Sequence, residues 1–177
     1  MRDSAVTSEA LIAIGSNITP ETNIPKALRY LSDAVQVRRV STFYWSEPIG
    51  LQNQARFLNG ACLIATELGP RELKFDVLRL IESDLGRTRS ADKYAPREID
   101  LDIALFGNIS MSEPGLTIPD PEIEVRPFLA VPLAEIAPDW QVSSLGRTLG
   151  EIAGAMSLDN LSVADQVTKE LKKEFPG

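Results

Sequence analysis

Histidine is absent from this chain, and cysteine occurs once, at Cys62. The first absence removes the commonest general base and the imidazole ligand of most transition-metal centres, so a metal here would be held by oxygen, which favours Mg2+ or Mn2+. The second excludes a disulfide framework within a monomer. Cys62 lies between Ala61 and Leu63 in an apolar, strand-like run, so a buried, inert thiol is the expectation. No run of about 18 apolar residues occurs and no basic-then-apolar start resembles a signal peptide, so no membrane partner and a cytoplasmic location are expected. Positive charge is in deficit: 18 Lys and Arg against 25 Asp and Glu give a formal net charge of −7. That balance disfavours nucleic acid and anionic membranes, although a local basic patch still suits one small anion. Repeats and low-complexity segments are not visible. With 177 residues the chain suits one domain with a real core, so residues 1–177 are expected to form a single domain.

What positive charge there is gathers in one place. Arg87, Arg89, Lys93 and Arg97 precede a short apolar strand, Glu98-Ile99-Asp100-Leu101-Asp102-Ile103. Successive strand side chains point to opposite faces, so Asp100 and Asp102 share one face and Ile99, Leu101 and Ile103 the other. Same-face neighbours sit roughly 6.5–7 Å apart at Cα, which lets their oxygens converge on two Mg2+ ions about 3.5–4 Å apart. The competing reading is that paired acids on an exposed strand face protect a sheet edge from mispairing. For the arginines the competing reading is a solvated run complementing a helix C-terminus. Guanidinium forks match phosphate oxygens in a way lysine does not, and three in one loop beside two carboxylates point to a polyphosphate.

The rest of the chain supplies alternating elements. Residues 1–8 are polar and expected to fray. Ala10–Ile14 reads as a buried strand ending at the turn Gly15-Ser16-Asn17. Thr19 as N-cap with Pro20 at the first position opens a helix whose stripe is Ile24, Leu28, Leu31 and Val35. Alternation over Val35–Tyr44 and an apolar run within Arg56–Leu68 predict a strand pair joined by a loop, Trp45–Ala55. Pro70 opens a second helix marked by Leu73, Val77, Leu80, Ile81 and Leu85, closed by Gly86. The ensuing basic loop is longer than most connections, as binding loops are. After the Asp strand come a turn at Gly107-Asn108, an extended piece at Leu116–Pro119, and a helix opening at Arg126-Pro127-Phe128 that Pro132 kinks or restarts and Pro138 stops. Thr148–Met156 suits another helix, and Val163, Val167 and Leu171 a tail helix. The order βαββαβ suggests an α+β fold of ferredoxin-like type, a mostly antiparallel sheet with helices packed on it.

The run Lys93-Tyr94-Ala95-Pro96-Arg97-Glu98-Ile99-Asp100-Leu101-Asp102-Ile103 resembles the signature of the 6-hydroxymethyl-7,8-dihydropterin pyrophosphokinase family. Further blocks resemble it in the same order: Ile12–Asn17, Ser41–Ile49, Phe57-Leu58-Asn59 and Arg126–Pro138. Together they span about residues 10–140, leaving 157–177 as an extension expected to be helical, and ordered blocks are far more specific than an aspartate pair alone. The resemblance implies the same fold and transfer of pyrophosphate from ATP to a pterin alcohol in folate biosynthesis, with two Mg2+ ions held by Asp100 and Asp102. Arg87 and Arg97 are expected to clamp the transferred group. Nucleotide contacts are implied for Arg89, Tyr94, Ile103, Thr117, Arg126 and Glu82, with an exposed helix glutamate as the plainer reading of Glu82 and a helix N-cap region as that of Arg126. The pterin pocket is implied for Ser46, Ile49, Phe57, Asn59 and Phe128, core packing being the plainer reading of the two phenylalanines. Asn59, inside an apolar strand, must satisfy its amide somewhere.

Four positions depart from the family pattern. Asp120 stands where histidine is common, Ser90 where lysine, Tyr94 where tryptophan and Glu47 where proline. An acid at 120 repels phosphate unless a cation lies between, so altered nucleotide affinity is expected and no binding role is given to Asp120. ATP and the pterin are the expected partners of a monomer or weak homodimer with no fused second enzyme. The alternative from another class is a non-catalytic pterin- or nucleotide-binding protein of the same fold. A metal-dependent glycosyltransferase is disfavoured by the short chain.

Overall fold

A computed structural model describes residues 6–50 and 53–177. Most of the segment expected to fray, and Leu51 and Gln52 of the loop expected over Trp45–Ala55, lie outside the described residues. The main sheet comprises β1 (Ser8–Ser16), β2 (Gln36–Val40), β3 (Tyr44–Ser46), β4 (Phe57–Thr66), β5 (Asp100–Phe106) and β10 (Leu161–Val163). Its order is β10-β3-β4-β1-β5, with β2 also on β4 and every pairing antiparallel. Two small hairpins, β6 (Met111–Glu113) with β7 (Leu116–Ile118) and β8 (Gln141–Val142) with β9 (Arg147–Thr148), lie apart from it. The helices are α1 (Pro20–Ala34), α2 (residues 70–84), α3 (Pro127–Ile136), α4 (Leu149–Gly154) and α5 (Asp165–Glu174).

Both faces of the sheet are covered, which is why β1 and β4 read as nearly continuous apolar runs. Strand alternation divides the side chains between two cores. Ile12, Ile14, Leu58, Cys62, Ile64, Leu101 and Ile103 pack with α1 and α2 on one face. Leu11, Ala61, Leu63, Ala104 and Leu105 pack with α3 and α4 on the other. Taking the β2–β3 edge as one interrupted strand, the order is that of a ferredoxin-like βαββαβ unit. Cys62 sits fully inside, and burial pushes its thiol up to about 12. No helix among the described residues is long and apolar enough to cross a membrane.

Several expectations need correction. The strand expected across Val35–Tyr44 is broken at residues 41–43, where the Ser41 hydroxyl accepts from the Ala61 N–H (2.8 Å) and Phe43 turns into the core. Gly60 makes room for it: a Cβ there would lie 2.5 Å from the Phe43 ring. Trp45 and Ser46 belong to β3 rather than to the following loop. Thr19 stands at the N-cap of α1 in a left-handed conformation (φ 40°) and its side chain caps nothing. Its hydroxyl accepts instead from Asn23, whose amide also donates to the Ile18 carbonyl. Val163 is strand, in β10; α5 begins two residues later and buries Val167 and Leu171. The tail thus completes the sheet edge, and Thr168 Oγ1 accepts from the Phe43 N–H at the β2–β3 break (3.0 Å).

The correction with most consequence is in α2. It starts α-helical at Pro70–Glu72, widens to a π-helix over Leu73–Leu78 and returns to α-helix over Arg79–Asp84. A π-turn takes up one extra residue and so rotates everything beyond it by about 100° relative to an uninterrupted α-helix. Leu80, placed inward by 3.6-residue spacing, is 56% exposed, while Leu73, Lys74, Leu78, Ile81 and Glu82 face in. Gly86, at φ 91°, closes the helix as expected.

Candidate active site

The strand β5 is the free edge of the sheet, and the outward backbone groups of Leu101 would be unpaired there. Two inward-facing side chains of α2, Lys74 and Glu82, meet them. The Glu82 carboxylate accepts from the Leu101 N–H (2.8 Å), and the Lys74 ammonium donates to the Leu101 carbonyl (2.9 Å). Glu82 also accepts from Arg87 (2.5 Å) and Arg89 (2.9 Å), and Arg87 goes on to donate to Asp100 (2.6 Å). Arg97 donates to the other oxygen of Asp100 and to the Lys93 carbonyl. Lys74 reaches Asp102 at 2.5 Å. Burial alone would raise the Asp100 pKa, but the neighbouring Arg87 and Arg97 outweigh it and hold the carboxyl below its ordinary range.

Asp100 and Asp102 both open into one cavity of about 260 Å³. The polar residues Lys93, Tyr94, Arg97, Asp120, Glu122 and Arg126 line the same cavity, as do the apolar Ile49, Phe57, Phe128 and Leu129, together with Ser46 and Asn59. Asn59 Nδ2 donates to the Ser46 hydroxyl (2.7 Å), which fixes the amide plane. Gly15 across from it leaves room, since a Cβ there would stand 3.1 Å from Asn59 Oδ1. The Arg126 Nε is buried without a hydrogen-bond partner among the described residues, its nearest acid, Glu122, being 3.7 Å away. The Arg126 side chain lines the cavity, and its guanidinium suits an anion there.

The turn after β1 holds the basic loop in place. Ser16 donates to the Glu98 carbonyl (2.6 Å), Asn17 Oδ1 accepts from the Arg97 N–H (2.8 Å), and the Asn17 and Ile18 N–H groups donate to the Arg97 carbonyl (3.1 and 3.2 Å). Asn17 Nδ2 reaches Gln54 (3.1 Å) on the facing loop, and Gln54 donates to the Tyr94 carbonyl (2.5 Å). Tyr94 lies against Gly50, whose φ of 92° and close approach (2.8 Å from a built Cβ to Tyr94 Cγ) only glycine tolerates without strain.

Ten of the candidate residues therefore come together: Asp100, Asp102, Arg97, Tyr94 and Arg126 with Ser46, Ile49, Phe57, Asn59 and Phe128. Five do not line the cavity. Arg87 is enclosed between Glu82, Asp100 and the Ile99 carbonyl, 13% exposed, and so sits behind Asp100 rather than in front of it. Glu82 is neither exposed nor cavity-facing; its carboxylate is spent on protein donors. Arg89 pairs with Glu82, Ile103 is buried in the core, and Thr117 lies on the exposed face of β7 opposite Ser112. Lys74, Ser16 and Asn17 play parts that their local spacing did not announce, although the Gly15-Ser16-Asn17 block marked the turn.

Asp120 is the third acid in the cavity. Burial first, and then the charges of Asp102, Glu122 and Asp100, raise its pKa from 3.8 to about 6, against a hydrogen bond from the Glu122 N–H. Stability linked to a raised carboxyl is complete below about pH 4 and is lost as pH climbs through about 6, so ionised Asp120 weakens the fold at neutral pH by about 2–3 kcal/mol. Asp120→Asn, whose amide oxygen still accepts from Glu122, is expected to stabilise the protein by that amount at pH 7.5 and by nothing at pH 4. Urea denaturation at the two pH values measures it, and an equal effect at both would overturn it.

Two carboxylates on one strand, without histidine or cysteine, fit Mg2+, which is commonly held by one or two carboxylates and completed by substrate phosphates and water. Among the described residues no group of three His, Cys, Asp or Glu side chains is placed to hold a metal ion.

Comparison with known proteins bears on the family. The family model for 7,8-dihydro-6-hydroxymethylpterin-pyrophosphokinase (HPPK) matches residues 11–138. A 2-amino-4-hydroxy-6-hydroxymethyldihydropteridine pyrophosphokinase of Bacillus subtilis is 43% identical over 130 residues, covering 72% of this chain and 77% of its own length. One of Pseudomonas aeruginosa is 37% identical over 153 residues, covering 85% of this chain and 93% of its own. Among solved structures, wild-type HPPK-DHPS of Plasmodium falciparum superposes with a TM-score of 0.62 at 13% identity, over 84% of this chain and 41% of that one. That likeness speaks for the fold, and this chain spans less than half of the longer protein. By the extent of the family match, the chain belongs to the 7,8-dihydro-6-hydroxymethylpterin pyrophosphokinase family.

Proposed function

We propose that this cavity carries out the family's reaction, transfer of a pyrophosphoryl group from ATP to the hydroxymethyl group of 6-hydroxymethyl-7,8-dihydropterin, with the residues of this chain in the following roles. The pterin ring lies between Phe57 and Phe128, whose faces suit a flat heterocycle, and its amide-like edge meets Asn59, held by Ser46. Ile49 packs beside the rings. The phosphates lie toward Arg97 and Arg126, with Tyr94 and Lys93 above them. Asp100 and Asp102 would hold divalent ions, which neutralise phosphate charge and lower the pKa of a bound alcohol. The pterin oxygen bonds to the β-phosphorus, the bond from that phosphorus to the α,β-bridging oxygen breaks, AMP leaves, and the hydroxyl proton passes to water or to the free oxygen of Asp102. Arg87 and Glu82 act from behind, fixing Asp100 and β5, and Arg89 acts through Glu82.

The observation that carries this reading is that groups suited to a pterin and groups suited to phosphate, drawn from β3, β4, β5, the basic loop and the start of α3, line one and the same cavity. Phosphoryl transfer depends chiefly on such positioning and charge neutralisation. The direct test is AMP formation from ATP, Mg2+ and the reduced pterin alcohol. A folded sample that binds the pterin and forms no AMP would favour the non-catalytic alternative.

Asn59 provides a second measurement. Asn59→Ala removes the edge contact while leaving the rings, and is expected to weaken pterin binding about 10- to 100-fold by calorimetry, from the loss of one or two buried hydrogen bonds. An unchanged Kd would remove Asn59 from the pocket's polar edge.

A further inference from the structure

Lys74 is the sole buried lysine among the described residues, 5% exposed, and it stands in the π-helical stretch of α2. Satisfying the Leu101 carbonyl needs a hydrogen-bond donor but no charge, and a buried ammonium is costly unless something repays its desolvation. What it meets is Asp102, at 2.5 Å, whose side chain remains 46% exposed on the cavity side. Asp100 is likewise met by Arg87 and Arg97. Each carboxylate of the pair thus already has a protein cation. A divalent ion arriving alone would find two neutralised acids and, at Asp102, a fixed positive charge nearby.

We propose that Lys74 is a positioning residue that acts as a resident cation of the phosphate site, orienting Asp102 and keeping its affinity for free divalent ions low so that they bind together with the nucleotide. The inference rests on the reading of Asp100 and Asp102 as holders of divalent ions. Two consequences follow from charge alone. Removing the ammonium leaves Asp102 unneutralised, so a free divalent ion should bind more tightly. It also unfastens Asp102, so turnover should fall although metal binding improves, a combination that general loss of structure does not produce.

The test is titration of Mn2+ into the full-length, nucleotide-free protein, followed by the electron paramagnetic resonance signal of unbound Mn2+. Lys74→Met is expected to lower the Kd about tenfold, to lower the Mg2+ concentration at half-maximal turnover, and to reduce kcat. Lys74→Gln, which keeps a donor for the Leu101 carbonyl, should tighten Mn2+ binding in the same direction and guards against a folding defect in the methionine variant. Adding Asp102→Asn to either variant should erase the gain. Mn2+ binding by Lys74→Gln equal to or weaker than wild type, or a gain that survives Asp102→Asn, would overturn the proposal. If wild type fails to bind Mn2+ even with ATP present, the assignment of the aspartates falls and this inference with it. If wild type binds Mn2+ with ATP and the Lys74 variants do not differ from it, this inference alone falls.

Discussion

Asp102→Asn lowers AMP formation by about 1,000-fold or more while leaving the pterin site intact, on the proposed reading. The amide keeps an oxygen to accept from Lys74, so the 2.5 Å contact and the packing of β5 survive, and only the negative charge is lost. Stabilisation by a divalent ion of the charge developing on transferred and attacking oxygens is worth several kcal/mol, and each 1.4 kcal/mol or so is tenfold in rate. Asp102 is the more telling of the pair. Asp100 is gripped by Arg87 and Arg97, so changing it would disturb a buried ion network as well as the chemistry. Single-turnover kinetics with saturating ATP and Mg2+, alongside calorimetric pterin binding, measure the two quantities separately. A variant that retains a tenth of the wild-type rate would show that the second carboxylate is not a metal holder.

The largest effect on stability is expected at a residue outside the cavity. Glu82→Ala removes the acceptor shared by the Leu101 N–H, Arg87 and Arg89, at a side chain only 3% exposed. Breaking a buried pair on one side costs about 3–5 kcal/mol, since the partner is left charged and poorly solvated. For a protein of this size that is a drop in Tm of about 6–20 °C. Glu82→Gln should lose less, because its amide oxygen still accepts from Leu101. Thermal denaturation followed by circular dichroism gives the number. A change of about 1 °C or less for the alanine variant would mean that β5 is held at its edge without Glu82. The Asp100 carboxylate, no longer backed by a fixed Arg87, should also wander, so the residual folded protein should turn over more slowly.

Much of this molecule could be read from residue order. Period-two spacing put Asp100 and Asp102 on one face, and both open into the cavity. The apolar runs of β1 and β4 signalled strands covered on both sides, and Pro20, Pro127 and Gly86 marked helix ends where the chain turns. Of the residues expected around the pterin, Ser46, Phe57 and Asn59 reached the cavity from strands β3 and β4, Ile49 from the loop after β3, and Phe128 from the first turn of α3. Local reading failed where a helix changed pitch. The π-turn in α2 moved Leu80 to the surface and brought Glu82 in, and nothing in a 3.6-residue stripe reports a single wider turn. Val163 fooled the eye for a related reason: one apolar residue fits a helix spacing and a strand end equally well.

By itself the sequence determined the chemistry available: oxygen ligands without imidazole, guanidinium groups crowded before two acids, aromatic rings and one buried amide in strands, and a βαββαβ order that closes into an antiparallel sheet. Those follow from side-chain type and from backbone periodicity, which are properties of neighbours along the chain. Only the tertiary structure decided which cations the acids face. Arg87 turned inward to brace Asp100, Arg97 and Arg126 turned toward the cavity, and Lys74 reached around the sheet edge to Asp102 from residues far away in the chain. Ion pairing depends on the phase of one element against another, and that phase is set when helices pack on the sheet and unpaired edge groups find donors and acceptors.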